Sequence, residues 1–185
     1  MKSLKENFQK AHIVIIGSGI IGKFNALELS ELGFRVTIID PAQHQNSSNA
    51  ALGLLMGNMY QKRRGRSWDL RKQSIELWSE WITFLQKFNC ELNIEKPLIQ
   101  LTTNEEKYKK LEKFIYENND QNLRILERDS IFINNINKAF QTKNIKGMIS
   151  FKDGRINALS LLQTLDKYLK PVSYTHLTLP TNSRV

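Results

Sequence analysis

The stretch Gly17-Ser18-Gly19-Ile20-Ile21-Gly22 constrains this chain more than any other, because it follows directly on the β-branched run Ile13-Val14-Ile15-Ile16. An unbroken apolar run of that kind suits a strand buried on both faces of a parallel sheet. After Gly22, the residues Phe24, Leu27, Leu29 and Leu32 recur at helical spacing, and Gly33 stands where a helix C-cap is expected. Val36-Thr37-Ile38-Ile39 is then a second strand, closing on Asp40. The whole is a strand, helix, strand unit of about 30 residues. Each glycine has a task in such a unit: Gly17 permits the tight turn, Gly19 lets a pyrophosphate approach the backbone, and Gly22 lets the helix pack closely on the strand. The helix N-terminus offers N–H groups and a positive dipole end to phosphates. Asp40, eighteen residues beyond Gly22, holds the position of a ribose-binding acid. This spacing predicts a dinucleotide site.

Composition excludes much else. With 41% hydrophobic and 24% charged residues, the chain is of ordinary globular type. Its one cysteine, Cys90, excludes an internal disulfide and a Cys-rich zinc site, and without a nearby His it reads as a buried or inert thiol. His12, His44 and His176 are scattered, so no metal is expected. The longest apolar run, Ala50 to Gly57, is well short of the roughly 18 residues that cross a bilayer. The start does not read as a signal peptide, and a reducing cytoplasm is the expected location. The net charge of +9 and the cluster Lys62-Arg63-Arg64-Gly65-Arg66 invite a nucleic-acid reading. A solvated loop between two helices is the better one, because only Tyr60 and Trp68 flank the cluster.

Further along, the Asn- and Ser-rich segment Gln43 to Gly57 reads as a polar loop leading into a short helix. Trp68 to Phe88 is predicted as an amphipathic helix whose stripe is Leu70, Ile75, Leu77, Trp78, Trp81, Ile82, Leu85 and Phe88, with its tryptophans in the core. Leu92 to Thr102 alternates like strands, and Thr103-x-x-Glu106 has capping-box spacing for a helix to about Glu117. Strands are predicted at Leu123 to Leu126 and Met148 to Phe151, a turn at Asp153-Gly154, and a helix capped by Asn157 that carries Leu161, Leu162, Leu165 and Leu169.

The segment Asn46-Ser47-Ser48-Asn49-Ala50-Ala51-Leu52-Gly53-Leu54-Leu55-Met56 resembles the Ser/Thr-rich loop and small-residue helix that follow the ribose acid in the FAD-dependent D-amino acid oxidase and glycine oxidase family. The Trp-bearing helix, Ile94 to Leu101, and Asp153-Gly154-Arg155-Ile156-Asn157-Ala158 through Leu165 are similar to later parts of its glycine-oxidase-like branch. The family commonly has Asp-Pro or Glu-Pro where this chain has Asn157-Ala158, and many members use Glu in place of Asp40. The resemblance implies FAD as cofactor, held by Gly17, Gly19, Ile20, Ile21, Gly22, Asp40, Pro41, Ser47, Ser48, Leu52, Gly53 and Leu54. It implies an α/β fold: a Rossmann-like FAD-binding domain with a parallel sheet, plus part of an inserted α+β substrate domain. The function implied is oxidation of a small amine or amino acid, glycine-like or D-configured, by hydride transfer to the flavin.

On this reading residues 11–90 belong to the FAD-binding domain, 91–152 to a partial substrate domain, and 153–171 to a return helix. Residues 172–185, which include Val172-Ser173-Tyr174-Thr175-His176-Leu177-Thr178-Leu179-Pro180, look like a translated sequencing-adapter peptide and not a native tail. The arginine expected to clamp a substrate carboxylate falls in a C-terminal half beyond this chain. No catalytic residue is named, and the chain by itself is expected to be inactive and to bind FAD weakly. The basic charge leaves open a flavin enzyme of the same family acting on a modified tRNA base. The fingerprint alone leaves open an NAD-dependent dehydrogenase or a non-catalytic dinucleotide-binding remnant. Oligomeric state is not specified by any of these features.

Overall fold

A computed structural model describes residues 11–40, 47–127, 133 and 145–170. Pro41 and the tail 172–185 lie outside these residues. The chain divides into two compact units. The first takes the described parts of Met1–Gly53, Thr83–Leu92 and Asn157–Val185, and the second takes those of Leu54–Ile82 and Asn93–Ile156.

In the first unit, β1 (His12–Ile16) and β2 (Arg35–Ile39) pair in parallel, from His12 opposite Arg35 to Ile16 opposite Ile39, and α1 (Ile20–Glu31) makes the crossover between them. Helix α1 ends in a Schellman motif: the Gly33 N–H donates to Ser30 O and the Phe34 N–H to Leu29 O. Ala26 and Leu27 of α1 are buried, as are Val36 and Ile38 of β2. The predicted final helix forms as α4 (Ala158–Leu169), its Asn157 side chain accepting the Ser160 N–H. Leu161, Leu162, Leu165 and Leu169 make its buried stripe. Packed with it, Lys23 of α1 is buried and ion-paired to Asp166, and the Tyr168 hydroxyl donates to Glu31. Expected burial of β1 on both faces is not met: Val14 is 50% and Ile16 79% exposed. A parallel strand is buried on both faces only where both are covered, and no described element covers that side.

The second unit contains two antiparallel sheets. In one, β8 (Gly154–Ile156) lies between β3 (Leu54–Leu55) and β4 (Ile94–Glu95). In the other, β7 (Lys146–Ser150) lies between β5 (Leu98–Thr102) and β6 (Leu123–Leu126). The amphipathic helix α3 (Glu105–Asn118) buries Tyr108, Leu111 and Phe114, and a core cluster joins Leu111 and Phe114 to Met59, Leu123 and Met148. Its cap is one residue later than predicted: Asn104 accepts the Lys107 N–H, while the Thr102 hydroxyl accepts the Asn104 N–H. Helix α2 (Arg66–Leu85) realises the predicted Trp-bearing helix, but Leu70 and Leu77 of its stripe are exposed, since no described element packs over them.

The predicted short helix before Gly57 is absent. Residues 47–50 form a turn, and Leu54-Leu55 instead pair with Gly154 and Arg155, so their main chain is committed to a sheet. For the same reason Gly154 opens a strand and does not complete an Asp-Gly turn.

Tyr108 gives this unit a titratable marker. Burial, with the carboxylates of Glu112, Glu127 and Glu105 adding to it, pushes the phenol from 10.0 up to about 12. Between those values the unfolded chain binds fewer protons than the folded one, so stability falls as pH rises from about 10 to about 12. Urea midpoints measured across that window should decline, and Tyr108→Phe should remove part of the decline. Tyr168 is shifted in the same direction and accounts for a further part.

Candidate functional site

The turn from β1 into α1 is built by its glycines. Gly17 adopts φ +102°, a left-handed conformation, while its N–H donates to Ile39 O at 2.8 Å and so continues the strand pairing by one residue. At Gly22 a Cβ would stand 2.0 Å from Gly17 O, so only glycine lets the helix begin this close to the strand. Gly19 is the N-cap of α1 and contributes no side-chain cap, and the first helical turn carries no acidic residue. The positive end of the helix is therefore not neutralised from within.

Two side chains converge on this turn from distant sequence. Asp40 Oδ2 accepts the Ser18 N–H at 2.6 Å, and Ser48 Oγ accepts the Ile20 N–H at 3.0 Å. Ser48 thus caps α1, and as an acceptor there it keeps its own O–H proton available for donation. The structure therefore brings together Gly17, Gly19, Ile20, Gly22, Asp40 and Ser48. Ile21 lies on the first turn of α1, 74% exposed. Ser47 is exposed in the following turn, Leu52 is 73% exposed, and Gly53 has φ +69°. Leu54 begins β3 in the second unit, and Pro41 lies outside the described residues.

These residues fit a dinucleotide such as FAD. A glycine-lined backbone, an uncapped helix N-terminus, a hydroxyl on its first N–H and a carboxylate at the adjoining strand end are the donors and acceptors that a diphosphate and a ribose require. At Gly19 a Cβ would lie 3.1 Å from Ser48 Oγ, so a side chain there would crowd this cradle.

Three features of the second unit were not foreseen. Asp153, only 1% exposed, accepts the N–H groups of Gly57 at 2.8 Å and Asn58 at 2.9 Å through Oδ1, and that of Met59 at 2.7 Å through Oδ2. It anchors the segment that follows Leu54. An Asp-Gly pair signals a turn, and nothing in the sequence ties it to amides more than ninety positions earlier. Arg63 of the basic cluster is not a solvated loop residue. Its guanidinium lies 4.9 Å from the Phe114 ring centre and 5.5 Å from that of Trp68, and it donates to Asn118 Oδ1 and Asn58 O. The flanking aromatics hold the arginines: Tyr60 stacks on Trp68 and carries Arg71 at 4.1 Å. Trp68, Trp78 and Trp81 are half-buried, short of the core position expected of them. Cys90, expected to be buried or inert, is exposed.

Among the described residues no group of three or more His, Cys, Asp or Glu side chains gathers as a metal site, and no helix is long and apolar enough to cross a membrane.

Comparison with known proteins extends over most of the chain. The family described as "DAO: FAD dependent oxidoreductase" matches residues 12–170. The uncharacterized oxidoreductase YurR of Bacillus subtilis (strain 168) is 31% identical over 74 residues, which are 40% of this chain and 20% of YurR. In fold, the chain is similar to iminodiacetate oxidase (IdaA) from Chelativorans sp. BNC1, with a TM-score of 0.72 at 18% identity over 90% of this chain and 46% of that one. Glycine oxidase from Geobacillus kaustophilus gives a TM-score of 0.69 at 22% identity, over 89% of this chain and 45% of that enzyme. The chain thus spans less than half the length of these oxidases.

Proposed function

The chain belongs to the DAO family of FAD-dependent oxidoreductases, and from that premise we propose that the whole protein oxidises a small amine, a glycine-like or D-configured amino acid. The cofactor is accordingly FAD, and the NAD-dependent alternative is set aside. The observation that carries the reading is the convergence of Asp40 and Ser48 on the glycine turn at the start of α1.

FAD, when bound, supplies the redox chemistry, taking a hydride from the carbon beside the substrate nitrogen. The residues of this chain bind and orient it. The backbone from Gly17 to Gly22, with Ile20 and Ile21 on the first helical turn, faces the diphosphate. Ser48, with Ser47 beside it, donates to the same side. Asp40 accepts from a ribose hydroxyl, next to Pro41. Leu52, Gly53 and Leu54 provide backbone near the flavin ring.

Iminodiacetate oxidase and glycine oxidase as fold neighbours support an amino-acid-like substrate. Anaerobic addition of glycine, N-methylglycine or D-alanine to the full-length flavoprotein carrying this sequence should bleach the visible flavin band. A band unchanged by all three would refute this substrate class. Residues 1–171 alone should show no amine-dependent turnover above free FAD. The exposure of Val14 and Ile16 supports that expectation, because a sheet missing its cover does not hold a flavin firmly. Oxygen uptake by the purified chain checks it, and turnover above the free-FAD background would contradict it.

A further inference from the structure

We propose that the second unit carries a separate ligand site, for a small aromatic carboxylate, sharing no residue with the glycine-turn site. A cavity of about 490 Å³ lies wholly within this unit, a size typical of small-molecule sites. Two residues that line it bury donors with no acceptor among the described residues: Asn58 Nδ2 and Arg63 Nε. A buried donor left unpaired costs free energy that an acceptor on a ligand recovers. The terminal nitrogens of Arg63 are already used, on Asn118 and Asn58 O, so each residue offers a single N–H. Two single donors match the two oxygens of a carboxylate.

Charge points the same way. Lys72, Lys96 and Lys152 line the cavity with Arg63, against one carboxylate, that of Glu76. The three lysines are exposed and so favour entry of an anion from solvent. The apolar part of the wall includes the indoles of Trp68 and Trp78, flat surfaces suited to an aromatic ring. The site stands or falls independently of the flavin reading, because none of its groups is assigned to FAD.

Phenylacetate titrated into the full 185-residue chain tests this, with tryptophan fluorescence and calorimetric heat as readouts. Saturable binding is expected, with phenethylamine, the same ring on a cation, failing to bind. The double variant Lys96→Glu, Lys152→Glu changes only exposed side chains and should weaken phenylacetate by at least about tenfold with an unchanged far-ultraviolet circular dichroism spectrum. Asn58→Leu, which fills the cavity and removes a buried donor, should do the same. No saturable signal at millimolar phenylacetate, equal binding of phenethylamine, or an unchanged affinity in the double variant would each overturn the proposal.

Discussion

Asp153→Ala should destabilise the second unit by about 3 kcal/mol or more, since it leaves three backbone N–H groups without their acceptor at roughly 1 to 3 kcal/mol each. Against a total stability of about 5–15 kcal/mol, that is enough to leave much of the population unfolded. Asp153→Asn is the informative partner. Its single carbonyl oxygen can replace Oδ1 and keep the Gly57 and Asn58 bonds, but its amide then confronts the Met59 N–H. A smaller loss of about 2 kcal/mol is expected. Urea denaturation of both variants measures the difference, and two losses under about 0.5 kcal/mol would mean that the 57–59 segment is held by other means.

Gly22→Ala should be the most damaging change in the first unit. Its Cβ would meet Gly17 O at 2.0 Å and Gly17 C at 3.1 Å, and both are backbone atoms that no rotamer change can move. Relief requires α1 to shift off β1, at about 1 to 3 kcal/mol or more, and the shift takes the N-terminus of the helix away from Asp40 and Ser48. Loss of dinucleotide binding and a lower melting temperature are expected together. Gly19→Ala separates the two effects. There the added Cβ meets only the Ser48 hydroxyl at 3.1 Å, the end of a side chain that can rotate. Its fold should persist while FAD affinity drops by about tenfold, or about 1.4 kcal/mol. Thermal melts with calorimetric FAD titration resolve the pair, and a Gly22→Ala protein that melts and binds like the parent would refute the close-packing role.

The contrast between these two sites reflects what a sequence can reveal. The glycine turn was legible because its parts are local: a β-branched run, three spaced glycines, a helical period and an acid, all within 30 residues. Ser48 was reached only through resemblance, and its bond to the Ile20 N–H joins residues 28 apart. Asp153 was out of reach because its meaning lies in amides at 57–59, and its neighbour Gly154 carries an equally good turn signal. The short helix predicted before Gly57 failed for a related reason. Leucines and alanines there favour helix locally, but β8, a hundred residues on, claims their main chain. Arg63 was misjudged because a run of cations says nothing about which of them finds an aromatic face. The two exposed positions of β1 mark the opposite case, in which the sequence pattern describes a more fully covered strand than the described residues provide.

The central claim, that the turn at the start of α1 holds FAD through Asp40 and Ser48, is most directly tested by heteronuclear NMR of the ¹⁵N-labelled chain during titration with FAD, which detects even millimolar binding. The amides of Gly17 to Gly22, Asp40 and Ser48 should shift first and together, and Asp40→Ala should abolish the shifts while leaving the spectrum folded. Shifts confined to other residues, or none at millimolar FAD, would contradict the claim.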